Sequence, residues 1–562
     1  MWKNQSFKTS VLLALLGAVF YIPFLGGVHL FDWDEVNFAE ISREMLITKE
    51  YFRVYVNFVP FWEKPPLFFW LQSLGMDVFG VGEFAARLPN ALCGVATLVF
   101  VYQAGRRLYD HRFGLIWSLV YFGSVLPFLY FKSGIIDPWF NFFIFSGLYY
   151  FILFYWKKDG LELELPHSKW QYLFLGGFFI GMGILTKGQT AYLIAALTMG
   201  VYWVSQRFRM YVSVPQFLYF TFAATLVTLT WYGLETWKNG TWFIEEFNKY
   251  QYRLFSTPDA GHKGFPGYHF VVLLIGCFPA SIFAIRAFLK MPAEEFRYRD
   301  DFRRWMKYLF WVVLILFTIV KSKIVHYSSM CYFPLTYLAA LSVSKIISGE
   351  MPLSKGMRIG LWSVGAVFLL AVFAMPAIGM NAEVLKPLFK DPFAQESLNA
   401  NVNWTGWEVI PGIFLLLVMG TAFYFFRKSR LSPQAADARR TGFNILFAGT
   451  GIFVLLTLVF FIKRIEGYSQ RAAIDFFESK TGQDCYVITY GYRSYAHLFY
   501  TRKPKVTNEK SYDRNWLFTG DIDKDLYVVT KIQFAHELLN VSGMEEVGRK
   551  NGFVFFRRKA VE

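Results

Sequence analysis

Three carboxylates crowd the stretch "FDWDEVNFAE", residues 31–40: Asp32, Asp34 and Glu35. They follow the first apolar run of the chain by a few residues. Acid beside the mouth of a membrane helix is a costly choice unless something cationic or reactive belongs there. A second stretch, "FVPFWEKPPLFFW", wedges Glu63 and Lys64 between aromatic residues and two prolines. The prolines stiffen it and the aromatic residues hold it at headgroup depth, so Lys64 becomes a fixed cation at the height of lipid phosphates. Other cations recur in connecting segments: Lys132 near Asp137 in "KSGIID", Lys187 in "LTKG", Arg253, His262 and Lys263 within 237–267, and Lys321, Lys323 and His326, with Tyr327, in "KSKIVHY".

Lysines and arginines converging at one depth make a cradle for a phosphate or pyrophosphate. A carboxylate beside it, taking a proton from an attacking hydroxyl while the cations stabilise a departing phosphate, is a workable apparatus for glycosyl transfer from a lipid-linked sugar. Each residue also has a plainer use. A single cation can snorkel to headgroups, and Asp34 and Glu35 can serve the positive N-terminal end of a helix. The residues alone leave both readings open.

The elements that must position these groups follow from composition. The chain has 562 residues, 55% of them hydrophobic and 20% aromatic, with mean hydropathy +0.33, the signature of an integral membrane protein. Apolar runs of about the length a bilayer demands lie near 9–25, 84–105, 113–130, 136–156, 171–186, 189–205, 214–235, 268–287, 305–320, 327–346, 357–379, 408–426 and 443–462, which makes about thirteen spans. Basic segments such as "RRLYDHR", "WKKDG", "QRFRM", "FRYRDDFRRWMK" and "RKSRLSPQAADARR" fall on one side of the alternation, with Lys3 and Lys8. By the positive-inside rule that side is cytoplasmic, as is the N-terminus. The acidic stretch and everything after about residue 464 are then extracytoplasmic. No small-residue cleavage site follows "VFYIPFLGG", so the first run reads as a retained helix rather than a signal peptide.

The net charge of +16 is carried largely by the cytoplasmic loops, where insertion explains it, and no nucleic-acid partner is expected. Cys93, Cys277, Cys331 and Cys485 imply no disulfide framework or cysteine metal site. Residues 1–464 read as the membrane unit. Residues 465–562 read as a small periplasmic α/β domain, with "SQRAAIDFFESKTG" and "FAHELLN" helical and "CYVITYG", "DLYVVTK" and "GFVFFRRK" as strands. This domain is expected to act as a lid or scaffold. In the first connecting segment, Phe38, Ile41 and Met45 recur at helical spacing, which predicts an interfacial helix.

These stretches carry a resemblance. "DEVNFAEISREM" and "WEKPPLFFW", followed by "SGIIDPW", "GILTKG", "YRLF…GHKGFPGYHF" and "KSKIVHYSSMCYFP", are similar to the GT-C membrane glycosyltransferases of the protein O-mannosyltransferase and aminoarabinose (lipid A) transferase group, over most of residues 1–340. The resemblance implies a polytopic α-helical membrane protein with a small extracytoplasmic C-terminal α/β domain, in the cell inner membrane. It implies an inverting hexosyl- or pentosyltransferase that takes a sugar from a polyprenyl-phosphate donor. The acceptor is lipid A, a protein or a growing glycan, and a monomer is expected. On this resemblance Asp34 is the catalytic carboxylate, Glu35 its companion and Asp137 a second acidic group of the cavity. Lys64, Arg253 and Tyr327 become donor-phosphate contacts, with Lys187 and Lys323 as further candidates. A divalent metal is a candidate cofactor, with Glu63 and His262 as its ligands. The aminoarabinose enzymes place a metal-binding histidine five residues before the loop arginine, where this chain has Asn248. Two rival classes bind the same chemistry: a transporter or flippase of lipid-linked sugar, which needs ionisable residues deep in its spans, and a non-catalytic glycan-binding membrane protein.

Overall fold

The computed structural model describes residues 2–161, 163–257, 264–289, 291–429 and 435–561. An apolar segment in lipid must satisfy its own backbone hydrogen bonds, which makes it a helix. All thirteen runs fall on helices: α1 (Trp2–Tyr21), then, after α2 (Asp34–Thr48), the short hairpin β1 (Tyr55–Val56) and β2 (Val59–Pro60), and α3 (Leu67–Phe79), the helices α4 (Glu83–Leu108), α5 (His111–Phe122), α6 (Val125–Tyr130), α7 (Asp137–Asp159), α8 (Lys169–Lys187), α9 (Thr190–Ser205) and α10 (Val214–Asn239). The bundle continues with α11 (Trp242–Ser256), α12 (Tyr268–Gly276), α13 (Ala280–Phe288), α14 (Arg297–Ile319), a 3-10 turn at Val325–Cys331, α15 (Tyr332–Ser348) and α16 (Lys355–Met380). After the short α17 (Ala382–Leu385) and α18 (Pro392–Ser397) come α19 (Ile410–Lys428) and α20 (Ala435–Ser469).

Seven helices among the described residues, beginning at Glu83, Asp137, Val214, Val325, Lys355, Trp407 and Ala435, are long and apolar enough to cross a membrane. Two of the other runs are broken. Run 268–287 divides at Pro279, which lacks a donor and disfavours helix in the residue before it. Run 113–130 divides at Gly123, where a Cβ would lie 2.2 Å from the Phe447 carbonyl oxygen. α7 sits at the centre, sheathed by α4, α8 and α9. α8 meets α10 backbone to backbone, since a Cβ on Gly177 would lie 2.2 Å from the Phe220 oxygen, the close approach that small residues allow in membrane bundles.

α20 runs out of the bundle and hands the chain to α21 (Arg471–Glu478) and an α/β unit with α22 (Ala496–Tyr500), α23 (Arg514–Thr519) and α24 (Ala535–Leu539). Its sheet has the order β3 (Tyr486–Tyr490), β4 (Leu526–Lys531), β6 (Phe553–Arg558), β5 (Met544–Lys550), with β3 parallel to β4 and the other pairs antiparallel.

This unit is seated on α2. Val36 and Ala39 pack with Ala472 and Phe499, while Phe38, Ile41 and Met45 pack with Phe68, Phe69 and Phe247. Residues 35–45 are therefore buried on both faces, where the spacing predicted one apolar face. Polar ties complete the seat: Tyr500 OH accepts from Leu30 N at 2.7 Å, Arg43 donates to the Lys503 carbonyl at 2.8 Å, and Tyr512 donates to the Asn57 carbonyl at 2.9 Å. His29 pairs with Glu466 of α20 and lies 3.3 Å from Glu478 of α21.

Candidate active site

The start of α2, the rigid segment before α3, the start of α7, the α8–α9 turn, α11, the end of α14 and the 3-10 turn meet at one end of the bundle, beneath the C-terminal unit. They enclose a cavity of about 610 Å³. Asp34, Glu35, Glu63, Lys64, Asp137, Lys187, Arg253 and Tyr327 all line it, as do Asp32, Tyr250, His326 and Arg493. Residues spread over roughly three hundred positions are thus one site.

Asp34 begins α2, and no side chain caps that helix, so the capping alternative does not hold for it. Its carboxylate is 31% exposed, with His326 Nε2 3.7 Å from Oδ2. Glu35 differs completely. It accepts from Arg87 Nε (3.0 Å) and Nη2 (2.8 Å), from Phe31 N (2.9 Å) and from Gly134 N (2.5 Å). Arg87 spends its remaining donors on the carbonyls of Leu25, Val28 and His29. Burial would raise the Glu35 carboxyl, but Arg87 and the two amides win and hold it below the usual carboxylate range. With every acceptor engaged, Glu35 pins the loops that shape the cavity instead of acting as a companion base.

The cations sort by what they face. Lys64 donates to Tyr250 OH (3.1 Å) and lies 4.7 Å from its ring centre, and the Arg253 guanidinium lies 5.2 Å from the same ring. Tyr250, one turn before Arg253 on α11, thus gathers two cations over one aromatic face. Sequence reasoning missed it; the i, i+3 spacing of Tyr250 and Arg253 was the available signal. Lys187 donates to Asp137 Oδ1 at 2.6 Å and lies 5.7 Å from the Tyr327 ring. Asp137 Oδ2 has no hydrogen-bond partner among the described residues. Lys323 does not line the cavity. Its ammonium donates to the carbonyls of Phe317, Thr318 and Val320, closing the end of α14 as the helix dipole favours.

The metal expectation finds no donor set. Among the described residues no three His, Cys, Asp or Glu side chains are grouped to hold a metal ion. Asn248 accepts from Gln189 Nε2 at 3.0 Å, a tie between the α8–α9 turn and α11. Glu63 stands at the cavity wall, and His262 lies outside the described residues.

Three further residues come from unexpected places. His326 approaches Asp34; Asp32, enclosed by protein although it opens onto the cavity, has its carboxyl pushed by burial up to about 6; and Arg493 reaches in from the C-terminal unit. On the α9, α11 and α14 side the wall turns apolar through Leu193, Leu254, Phe255, Leu316 and Phe317. An open carboxylate, a cationic cradle and an apolar flank together suit an amphiphilic phosphate.

Comparison with known proteins agrees with this reading. Residues 63–232 match the family model described as dolichyl-phosphate-mannose-protein mannosyltransferase. The undecaprenyl phosphate-alpha-4-amino-4-deoxy-L-arabinose arabinosyl transferase of Photorhabdus laumondii is 25% identical over 69% of this chain and 70% of its own length. That of Edwardsiella ictaluri is 28% identical over 62% and 61%. The crystal structure of ArnT from Cupriavidus metallidurans bound to undecaprenyl phosphate superposes with a TM-score of 0.74 over 97% of both chains, at 18% identity. The molecule is a polytopic membrane protein with the fold of the GT-C glycosyltransferases. Within that class its likeness is to the aminoarabinose transferase group.

Proposed function

We propose that the protein transfers a sugar from a polyprenyl-phosphate donor to an acceptor on the outer face of the membrane, with inversion at the sugar carbon. The observation that carries this reading is the open carboxylate of Asp34 in a cavity ringed by Lys64, Lys187 and Arg253. The donor phosphate lies against Lys64 and Arg253, with Tyr327 and Lys187 at its side, and its chain follows the apolar flank. As the glycosidic bond breaks, negative charge grows on the phosphate where these cations are already in place, which lowers the barrier without reorganisation. The acceptor attacks from the face opposite the phosphate, which inverts the centre. For a hydroxyl acceptor Asp34 takes the proton. For an acceptor already anionic it orients the attacking group or stabilises positive charge on the sugar. Asp137, tied to Lys187, holds that cation in position.

The printed names of the relatives favour a pentose carrying an amino group as the donor sugar. The basic ends of α4 (Arg106, Arg107), α7 (Lys157, Lys158) and α19 (Arg427, Lys428) favour a cytoplasmic N-terminus and a periplasmic C-terminal unit in a bacterial inner membrane. The flippase reading has weaker support, because the buried ionisable groups of the bundle are engaged. Asp301 accepts from Trp156 (2.8 Å) and Tyr202 (2.6 Å), and Lys345 lies 3.1 Å from both Glu294 and Glu350. The test is turnover by the purified protein. A polyprenyl-phosphate sugar should be consumed and a nucleotide sugar should not; use of the nucleotide sugar without any polyprenyl phosphate would refute the reading.

A further inference from the structure

The cavity has a second cationic pole that the donor does not need. Arg493 lines it from the C-terminal unit, in the loop between β3 and α22. It is exposed, and among the described residues it forms no ion pair or hydrogen bond. Its loop is nonetheless fixed. Gly491 takes a positive φ of 75° with the Phe534 ring packed where a side chain would stand, and Ser494 Oγ accepts from Ala496 N at 3.0 Å. Asp32 accepts from Tyr495 N at 3.4 Å, and the Tyr495 ring meets Trp33 edge to face at 5.1 Å. These two contacts lock the loop to the residues immediately before Asp34. Arg493 is therefore a cation held in place on the Asp32 and Trp33 side, whereas Lys64 and Arg253 gather around Tyr250 on α11.

The apolar surroundings are also doubled. Besides the flank on α9, α11 and α14, a separate cavity of about 390 Å³ lies between the end of α1, α6 and α20. It is walled by Phe24, Leu25, Val28, Leu455, Leu458 and Val459, with Lys132 and Lys463 also in its lining, and it shares Phe31, Glu35 and Ile135 with the catalytic cavity. One amphiphile, the donor, accounts for one cationic pole and one apolar flank. A second pole and a second apolar cavity across a shared partition call for a second amphiphile. A protein acceptor would have no use for the apolar cavity.

We infer that Arg493 is the contact that selects the acceptor, and that the acceptor is a lipid bearing a phosphate, whose headgroup Arg493 holds beside Asp34 while its chains enter the cavity between α1, α6 and α20. This rests on the transfer reading above. It gives the C-terminal unit a part in recognition as well as in covering the site. A guanidinium suits the task, because its planar fork meets two phosphate oxygens at once.

The experiment measures transfer from a polyprenyl-phosphate sugar to lipid A and to the same lipid stripped of its phosphates, using the full chain in detergent. Arg493→Ala should raise KM for lipid A at least tenfold, leave affinity for undecaprenyl phosphate unchanged, and make no difference with the dephosphorylated lipid. Arg493→Lys should recover part of the loss. Equal KM for lipid A in the wild type and Arg493→Ala would overturn the assignment, as would a matching loss of undecaprenyl phosphate affinity. A wild type that consumes no donor with any acceptor would refute the transfer reading itself, and this inference with it.

Discussion

Two carboxylates adjacent in sequence occupy opposite kinds of surroundings. Around Asp34 the protein is open: a 610 Å³ cavity, cations at the wall and a histidine at 3.7 Å. Around Glu35, one residue on, it is closed: four donors, an arginine with nothing left to give, and almost no exposure. The difference teaches how the fold keeps a reactive acid steady at a lipid boundary. The clamp takes up the strain of bringing the loops before α2, α4 and α7 together, and the open site inherits their geometry. Charge alone does not mark function here; what a charged group has left to bind does.

The contrast breaks hardest at the clamp. Arg87→Ala leaves Glu35 buried and unpaired and should cost about 3–5 kcal/mol of stability, seen as a fall in the thermal unfolding midpoint in detergent or as loss of folded protein. Wild-type stability would show that the closed region is not structural. Next come the open cations. Lys64→Ala or Arg253→Ala should leave the midpoint in place but remove about 2–4 kcal/mol of transition-state stabilisation, roughly a hundredfold in turnover. Lys323→Met sharpens the division, since its ammonium serves only backbone carbonyls. It should cost about 1 kcal/mol of stability and leave donor affinity untouched, and a loss of donor affinity would return Lys323 to the cradle.

The smallest effect is a pH dependence at the seat of the C-terminal unit. Burial would lower the His29 imidazole, but Glu466, with Glu478 behind it, raises it above its ordinary value. The pair therefore contributes fully below the ordinary imidazole range of about 6.5 and is lost as pH rises through the raised value. The unfolding midpoint should decline over that interval, and His29→Gln should flatten the decline. Glu35 runs the other way: its lowered carboxyl supports stability above the ordinary carboxylate range and loses that support as pH falls through the lowered value.

Much of the site was legible because its members are polar groups in apolar surroundings, where each has to be explained. Asp34, Lys64, Asp137, Lys187 and Arg253 were readable for that reason, and they share one cavity. The partners were not legible. Nothing in "DE" says that Asp34 faces a cavity and Glu35 faces Arg87, because a helix turns about 100° per residue and both neighbours come from elsewhere in the chain. Lys323 was misplaced because a lysine just past a helix end caps carbonyls or binds ligand with the same sequence. β5 escaped because "MEEVGRK" is an exposed edge strand with no alternation to detect. Arg493 escaped because its place over the cavity depends on how the C-terminal unit docks on α2, a long-range contact with no local signature.

The central claim is that Asp34 performs chemistry in a cavity shaped by others, and Asp34→Asn tests it most directly. The substitution keeps size and removes the charge. The variant should fold with a wild-type unfolding midpoint, bind undecaprenyl phosphate as tightly as the parent, and transfer sugar from a polyprenyl-phosphate donor about a hundredfold or more slowly. Transfer at the wild-type rate to every acceptor that works would contradict the account and leave Asp34 without a part in the reaction.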